Sequence, residues 1–214
     1  MIVEPRLLAA FSVAAIVLLV VPGPAVIYIV TRSVNQGRAA GLASVLGIHV
    51  GTLVHLVAAT VGLSAILVSS ATAFAVVKLL GALYLVVIGV RTVLGRGDRG
   101  AIDPQQPPRR RRRDFAEGVV VNVLNPKTAL FFLAFLPQFV DPARGQAWLQ
   151  ILVLGLTFMA LGLVTDSIWA LAAGSAGETL RKSRRWASVQ RYVSGSVFVG
   201  LGVVTAVSGS HTKG

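Results

Sequence analysis

The chain alternates long apolar stretches with short polar segments. A stretch of about 20 apolar residues is long enough for a helix to cross roughly 30 Å of hydrocarbon. Such stretches lie at residues 7–30, 40–61, 74–94, 115–139, 149–173 and 192–207. The pattern therefore predicts an all-α integral membrane protein with six transmembrane helices.

Proline-containing motifs interrupt the first and the fourth stretch. They are Pro22-Gly23-Pro24 and Asn125-Pro126-Lys127. A proline inside a helix removes a backbone hydrogen bond, and lipid offers no replacement partner. Each motif fits a helix end followed by a restart, with Gly23 or Asn125 as N-cap and the next proline at the first helical position. We predict that helices 1 and 4 are broken there, and that the second half-helix runs from Pro126 through Leu136.

The two halves of the chain resemble each other. An offset of 104 residues aligns the two proline motifs, and residues 81–84 resemble residues 195–198. Since three spans separate the matching segments, the halves insert in opposite directions. Inverted repeats with broken helices recur in secondary transporters, whose substrate sites lie at the repeat interface. We predict a 3+3 inverted repeat with a first three-helix repeat at 1–94, a basic cytoplasmic linker at 95–114 and a second repeat at 115–214.

Basic residues are concentrated in three of the polar segments. With both termini outside, the six-helix arrangement places most of the 20 basic residues, among them Arg32, Arg38 and the run 109–113, on one side of the membrane. Cytoplasmic segments of membrane proteins carry such an excess. The basic loops are therefore predicted to be cytoplasmic. The N-terminus moves inside if the segment before Pro22 does not span.

Composition agrees with this assignment and limits the partners. Hydrophobic residues make up 55% of the chain and charged residues 13%, and the mean hydropathy is +0.77, values outside the range of ordinary soluble domains. The net charge of +12 would suggest nucleic acid for a soluble protein, but the one-sided distribution explains it, with anionic lipid contact as a lesser alternative for the linker. A cleavable signal peptide is disfavoured because the first apolar stretch continues past Pro24.

Catalytic and cofactor motifs are absent from the sequence. The chain has no cysteine, which excludes disulfides and thiolate metal sites. It contains neither H-E-x-x-H nor G-x-S-x-G, and no cluster of acids. His49 and His55 are six residues apart, about 240° around a helix, so they do not form a chelating pair. We predict no enzyme activity, no cofactor and no metal.

Charged and titratable side chains inside the apolar stretches are the candidate functional residues. A charge at membrane depth costs about 2.5 to 3.5 kcal/mol and marks function by default. Lys127 follows a helix N-terminus, where the dipole disfavours a cation, so it needs an anionic partner: a substrate carboxylate, or Asp166 in a permanent ion pair. Asp166 is a candidate proton carrier or an anchor for a substrate ammonium. His49 and His55 are candidates for proton coupling, with a hydrogen-bonded interior position as the alternative for His55. Lys78 lies near a span end and is interpreted as structural.

The directions of the broken helices predict where a substrate would bind. The first helix restarts while running inward and the second while running outward, so the two new N-termini meet near the bilayer centre. Backbone N–H groups at helix N-termini bind carboxylates. An amino acid fits such a site, with its ammonium held by carbonyls of the broken turns or by Asp166.

The proline motifs and their surroundings resemble the LysE/RhtB family of bacterial amino-acid exporters. The likeness rests on Val21-Pro22-Gly23-Pro24, residues 37–51, the segment Asn122-Val123-Leu124-Asn125-Pro126-Lys127 and residues 129–139. The resemblance implies efflux of amino acids or related metabolites across the bacterial inner membrane, driven by the proton gradient, with the proline motifs near the pathway. Many family members have an acid where this chain has Thr52, which leaves Asp166 as the remaining intramembrane acid and favours neutral over cationic substrates.

The leading hypothesis is a secondary exporter that works by alternating access, with an amino-acid-like molecule, protons and membrane lipids as its partners. A passive channel or pore for small polar solutes is the alternative, and a structural subunit is a third reading. The pattern Gly47-x-x-x-Gly51 suits close helix packing within one chain or between chains, so a homo-oligomer is compatible with the sequence.

Overall fold

The computed structural model describes residues 2–69 and 110–176, with isolated positions between 76 and 94 and at 199 and 203. Within these ranges all regular secondary structure is helical, without a strand. Apart from these isolated positions, the predicted spans at 74–94 and 192–207 lie outside the described residues, as do most of the predicted linker and Lys78. The 3+3 repeat therefore stays a prediction.

Six helical segments form the framework of the described residues. They are α1 (Pro5–Val20), α2 (Pro24–Gln36), α3 (Arg38–Ser69), α4 (Arg111–Val123), α5 (Pro126–Leu130) and α6 (Ala147–Ser175). A π-helix (Phe131–Phe135) and a 3-10 helix (Leu136–Phe139) continue α5, and a 3-10 turn (Pro142–Arg144) precedes α6. By length and apolar composition, α3 and α6 can each cross a membrane alone. The pairs α1/α2 and α4/α5 qualify as bent spans, so the described residues hold two to four candidate spans.

The two predicted helix breaks are confirmed. The chain bends by 50° between α1 and α2, and by 46° between α4 and the segment that begins at Pro126. Gly23 and Asn125 are the N-caps with extended backbone, and Pro24 and Pro126 follow at the start of each new helix. The Asn125 side chain accepts a hydrogen bond from the Lys127 backbone N–H at 3.1 Å, as an N-cap asparagine should.

The second half-helix is not a regular α-helix over its whole predicted length. The α-helical part ends at Leu130, and the next turn is a π-helix in which the Leu136 N–H reaches back to the Phe131 carbonyl. Pro137 accounts for the change, because a proline has no N–H to donate and its ring needs space at the carbonyl four residues earlier. The wider turn provides that space before the 3-10 helix begins.

The fourth span begins earlier than predicted. Helix α4 starts at Arg111, four residues before the predicted span, and its first turn contains Asp114. Asp114 is fully buried. The end of the predicted linker, residues 111–114, is therefore helical, and its acidic residue belongs to the folded interior.

Glycines set the closest helix contacts. A Cβ on Gly47 of α3 would collide with the Phe115 backbone carbonyl of α4, and a Cβ on Gly118 of α4 would lie 2.8 Å from the Ser44 carbonyl. Backbones that approach this closely are typical of packing between membrane helices. Helices α3 and α4 therefore form one tightly joined pair, while the main apolar core lies between α1, the π-helix and α6.

Candidate functional site

The two helix breaks lie side by side in the structure. The Lys127 Nζ donates a hydrogen bond to the Val21 carbonyl at 2.5 Å, and a Cβ on Gly23 would lie 2.8 Å from the Lys127 Cδ. Val21 is the C-cap of α1, so the ammonium lies against the carbonyl end of that helix. This end carries the negative pole of the helix dipole and favours a cation. The second break thus supplies a partner for a carbonyl that the first break leaves without one.

A small, partly open cavity lies next to this contact. All six helices contribute residues to its wall, and so do Gly23 and Asn125, the N-caps of α2 and α5. The apolar part of the wall is formed by Leu18, Leu19, Gly23, Ala25, Val26, Ile48 and Phe158. The polar part is formed by His49, Thr52, Asn122, Asn125, Lys127, Thr128 and Asp166.

Asn122 is the centre of a hydrogen-bond network in this wall. Its Nδ2 donates to the Ile48 carbonyl and to the Thr52 hydroxyl, both at 2.8 Å. Its Oδ1 accepts from the Asn125 Nδ2 at 3.1 Å and from the Thr128 hydroxyl at 3.0 Å. A side-chain amide has two donor hydrogens and two acceptor positions. The hydrogen-bonding capacity of Asn122 is therefore used within the protein.

The neighbours of Asn122 are engaged with one another as well. The Thr52 hydroxyl donates to the Ile48 carbonyl at 3.1 Å, and the Asn125 Nδ2 also donates to the Thr128 hydroxyl at 3.1 Å. Because the Asn125 Oδ1 caps α5, both ends of its amide are occupied. The uncharged polar residues of the cavity wall thus form a closed network that joins α3, α4 and the second break.

His49 and Asp166 form the second polar contact of the cavity. The His49 Nε2 lies 3.3 Å from the Asp166 Oδ2, and both side chains are buried. The ring of His49 fits because Gly162 lies one turn before Asp166, where a Cβ would come within 2.9 Å of the His49 Cε1. The cavity therefore holds one cation, one carboxylate and one titratable imidazole among the described residues.

His55 lies apart from this group. Its Nε2 is 2.8 Å from the Asn122 backbone carbonyl, so the ring donates a hydrogen bond there. It also stacks near Phe132, with 6.4 Å between ring centroids. The two histidines thus face different partners, as their spacing predicts. Over residues 2–69 and 110–176, no three His, Asp or Glu side chains are grouped so that they could hold a metal ion.

A family model for the LysE type translocator matches residues 16–209. The chain belongs to this family. It is 30% identical over 199 residues to the homoserine/homoserine lactone efflux protein of Salmonella typhimurium, with 92% of this chain and 94% of that protein covered. It is 28% identical over 199 residues to an uncharacterized membrane protein of Vibrio cholerae, covering 93% and 96% of the two chains. No solved structure matches the chain.

The family assignment confirms the resemblance seen in the sequence. The matched residues include both proline motifs, the last five residues of α1 and all the other described helices. A translocator moves its substrate without converting it, so the chain is a membrane transporter by family and by its apolar helices. The site can accordingly be considered for binding and release alone.

The sequence-predicted site residues of this family member fall into two groups. The first group lines the cavity and comprises Gly23, His49, Thr52, Asn125, Lys127 and Asp166. The second group lies outside the cavity wall and comprises Pro22, Pro24, Pro126 and His55. The three prolines shape the backbone at the breaks, which places the neighbouring residues at the cavity.

Asn122 and Thr128 were not predicted as site residues, although both line the cavity. A signal was present in the sequence: two asparagines three residues apart, at the end of an apolar helix, lie on the same face. The hydroxyl of Thr128 follows three residues after the second asparagine. Polar side chains with this spacing beside a helix break indicate a network that satisfies the free backbone and side-chain groups.

A second charged group, the Arg32 cluster, was also missed. It comprises Tyr28 and Arg32 of α2 with Asp114 and Glu117 of α4. The Arg32 Nη2 lies 2.6 Å from the Glu117 Oε2, and the Nε lies 3.5 Å from the Asp114 Oδ1. The Tyr28 hydroxyl donates to the Asp114 backbone carbonyl at 2.8 Å. Arg32 was expected in the polar segment after the first span, but it lies within α2 and is 5% exposed. Its position on the cytoplasmic side stays a prediction.

Proposed function

We propose that the protein is a secondary exporter of amino acids or related small zwitterions across the bacterial inner membrane, working by proton antiport. The observation that carries the proposal is the cavity at the two helix breaks, whose wall contains the oppositely charged residues Lys127 and Asp166. Charged residues are costly at membrane depth unless they have a functional or paired role. A cavity with one cation and one carboxylate matches the two charges of an amino acid.

The substrate carboxylate binds Lys127 in this proposal. An ammonium has three donor hydrogens, and the Val21 carbonyl uses one of them, which leaves two for a ligand. The first turn of α2 adds backbone N–H groups at the cavity, because Gly23 has no side chain with which to cap them. Such N–H groups favour an anion at the same place.

The substrate ammonium binds Asp166, and the substrate side chain points toward the apolar wall. Asp166 lies on the cavity wall with one oxygen near His49. Because Thr52 and Asn125 bind each other through Asn122, they shape the wall and are not the main ligands. Leu18, Leu19 and Phe158 leave an apolar surface for a small, uncharged side chain. Neutral amino acids therefore suit the site better than cationic ones.

Proton coupling follows from competition at the contact between His49 and Asp166. A proton bound at this contact weakens the negative charge that holds the substrate ammonium. Substrate and proton therefore exclude each other, and alternating access then exchanges them across the membrane. Lys127 is the other charged group that faces this space.

The relatives support the direction and the class of substrate. The Salmonella typhimurium protein is named for efflux of homoserine and homoserine lactone, and it aligns with nearly the whole chain. Homoserine is a small neutral amino acid. The surplus of basic residues on the segments that adjoin α2 and α4 supports a cytoplasmic position for that end.

The test is transport by the purified protein in proteoliposomes loaded with labelled homoserine, threonine, leucine, lysine or glutamate. An inward-directed proton gradient should drive uphill export of homoserine or another neutral amino acid, and a proton ionophore should abolish it. Asp166→Asn should lower this transport about 30-fold or more, because it removes one partner of a buried charged contact. Lys127→Met should have a similar effect.

Asp141→Asn is the matched control, since it makes the same chemical change at a partly exposed acid of a loop. It should transport as the unchanged protein does. Solute that only equilibrates, with no accumulation against its gradient, would contradict the exporter and indicate a pore. Export that persists in Asp166→Asn would contradict the proposed ligand and coupling role of this residue.

A further inference from the structure

Helix α2 is a short segment between two joints. It contains 13 residues and begins after the Pro22-Gly23-Pro24 break. It ends at Gly37, whose φ of 84° lies in the left-handed region that favours glycine. Because both ends are non-helical, α2 can change its direction relative to α1 and α3 without bending a helix.

Helix α4, by contrast, is held firmly against α3. The glycine contacts at Gly47 and Gly118 bring the two backbones together, and Asn122 adds hydrogen bonds to Ile48 and Thr52. Such a contact cannot open without losing backbone packing along the helix. Helix α4 is therefore fixed relative to α3, and α2 packs against it.

The Arg32 cluster connects α2 to α4 through ion pairs and hydrogen bonds. Arg32 is held by the carboxylates of Asp114 and Glu117, and its guanidinium carbon lies 5.2 Å from the centre of the Tyr28 ring. The apolar contacts of α2 include Val26 and Val30, which cluster with Ala173 of α6 and pack against Trp169. Ion pairs are more directional than such contacts, so we take the cluster as the contact that holds α2 against α4.

The cluster lies between the cavity and one end of the molecule. Val26 lines the cavity, and Arg32 follows six residues later, about 9 Å along the helix. Asn122 lines the cavity, and Glu117 precedes it by five residues, about 7.5 Å along α4. Beyond the cluster, α4 begins with the exposed residues Arg111, Arg112 and Arg113. The contact between α2 and α4 thus separates the cavity from the end that carries these arginines.

We propose that α2 is a gate hinged at Gly23 and Gly37, and that the Arg32 cluster holds it closed between the cavity and the arginine-bearing face. The inference rests on the proposed function in that it takes the cavity as the transport site. When the ion pairs exchange their partners for water, α2 moves away from α4 and the cavity opens to that face. The closed cluster is the state that the structure shows.

Site-directed labelling tests the gate directly, because the chain has no cysteine of its own. Val26→Cys places one thiol in the cavity wall at a position that is 4% exposed. A membrane-impermeant maleimide is applied from either face of vesicles with known protein orientation. Adding Glu117→Gln or Asp114→Asn should raise the labelling rate about tenfold or more from the arginine-bearing face, since the open fraction rises. Labelling from the other face should not change.

Arg112→Gln is the matched control, because it removes one exposed charge from the same helix without touching the cluster. It should leave both labelling rates unchanged. Unchanged labelling in both carboxylate variants would overturn the gate, and so would an equal increase from both faces, which indicates a loosened fold. Labelling requires no transport, so the two proposals can fail separately. If the labelling rates change as expected but no export is seen, the substrate proposal alone is rejected. If export is seen but the labelling rates do not change, the gate alone is rejected.

Discussion

The two ends of the cavity are closed by different chemistry. At the end where α2 meets α4, the contact is the buried Arg32 cluster. At the end where α1 meets the π-helix and α6, it is a group of phenylalanine rings, in which Phe131 lies 4.4 Å from Phe158 and 5.6 Å from Phe11 between ring centroids. The same cavity therefore has an ionic end and an aromatic end.

The two ends differ in how far contact with water offsets the interactions that are lost when the end opens. Charged groups that separate regain hydration, which offsets much of the attraction they lose. Phenyl rings that separate lose their packing contacts and gain no comparable interaction with water. The ionic end is thus suited to repeated opening to water, whereas the aromatic end opens only if its rings find new partners.

The largest expected effect comes from removing a ring of the aromatic end. Phe131 contacts four other rings, so Phe131→Ala should lower the free energy of unfolding in mixed micelles by about 3 kcal/mol or more. Leu133→Ala is the control, because Leu133 lies in the same π-helix but is 43% exposed. Equal losses in the two variants would contradict the special role of the ring cluster.

A smaller effect is expected at the wall beside the ionic end. Gly47→Ala places a methyl group against the Phe115 carbonyl and should cost about 1 to 3 kcal/mol in free energy of unfolding. It should also weaken the packing of α4 against α3, which would appear as a higher labelling rate of the thiol in the Val26→Cys variant. Gly62→Ala, on the same helix with open space around the new methyl, should be neutral or stabilising by up to about 1 kcal/mol. A neutral Gly47→Ala would mean that α3 and α4 are not tightly joined.

The smallest effect is expected from the ion pairs at the aromatic end, which are exposed. Arg144 lies 3.1 Å from Glu4 and 3.3 Å from Asp141, and its side chain is 48% exposed. Arg144→Gln should change the free energy of unfolding by less than about 1 kcal/mol. The change should vanish at high salt, where charges are screened within about 3 Å at 1 M. A larger effect that persists in high salt would show that this end is ionic too.

Local features were predictable because local chemistry determines them. The two breaks follow from proline geometry and from the capping side chain of Asn125, neither of which depends on distant residues. The placement of Lys127 and Asp166 inside the bundle follows from the cost of charge in lipid. The family resemblance rests on the same motifs.

Long-range partners were not predictable from one sequence. Arg32 was assigned to a polar segment outside the first span, because its partners, Asp114 and Glu117, lie more than 80 residues away along the chain. Lys127 was expected to need an anion, since only its own helix dipole was considered. Its bond to the Val21 carbonyl depends on how the first break folds against the second. The pairing of His49 with Asp166 likewise joins two helices whose register the sequence does not specify.

Because Gly23 and Lys127 are in contact, the effect of a substitution at one position should depend on the residue at the other. A methyl group at position 23 would lie 2.8 Å from the lysine side chain, so Gly23→Ala should be deleterious while the lysine is present. A shorter residue at position 127 removes this collision, so it should relieve the structural defect that Gly23→Ala causes. Attempts to redesign the substrate range through either position therefore have to vary both together.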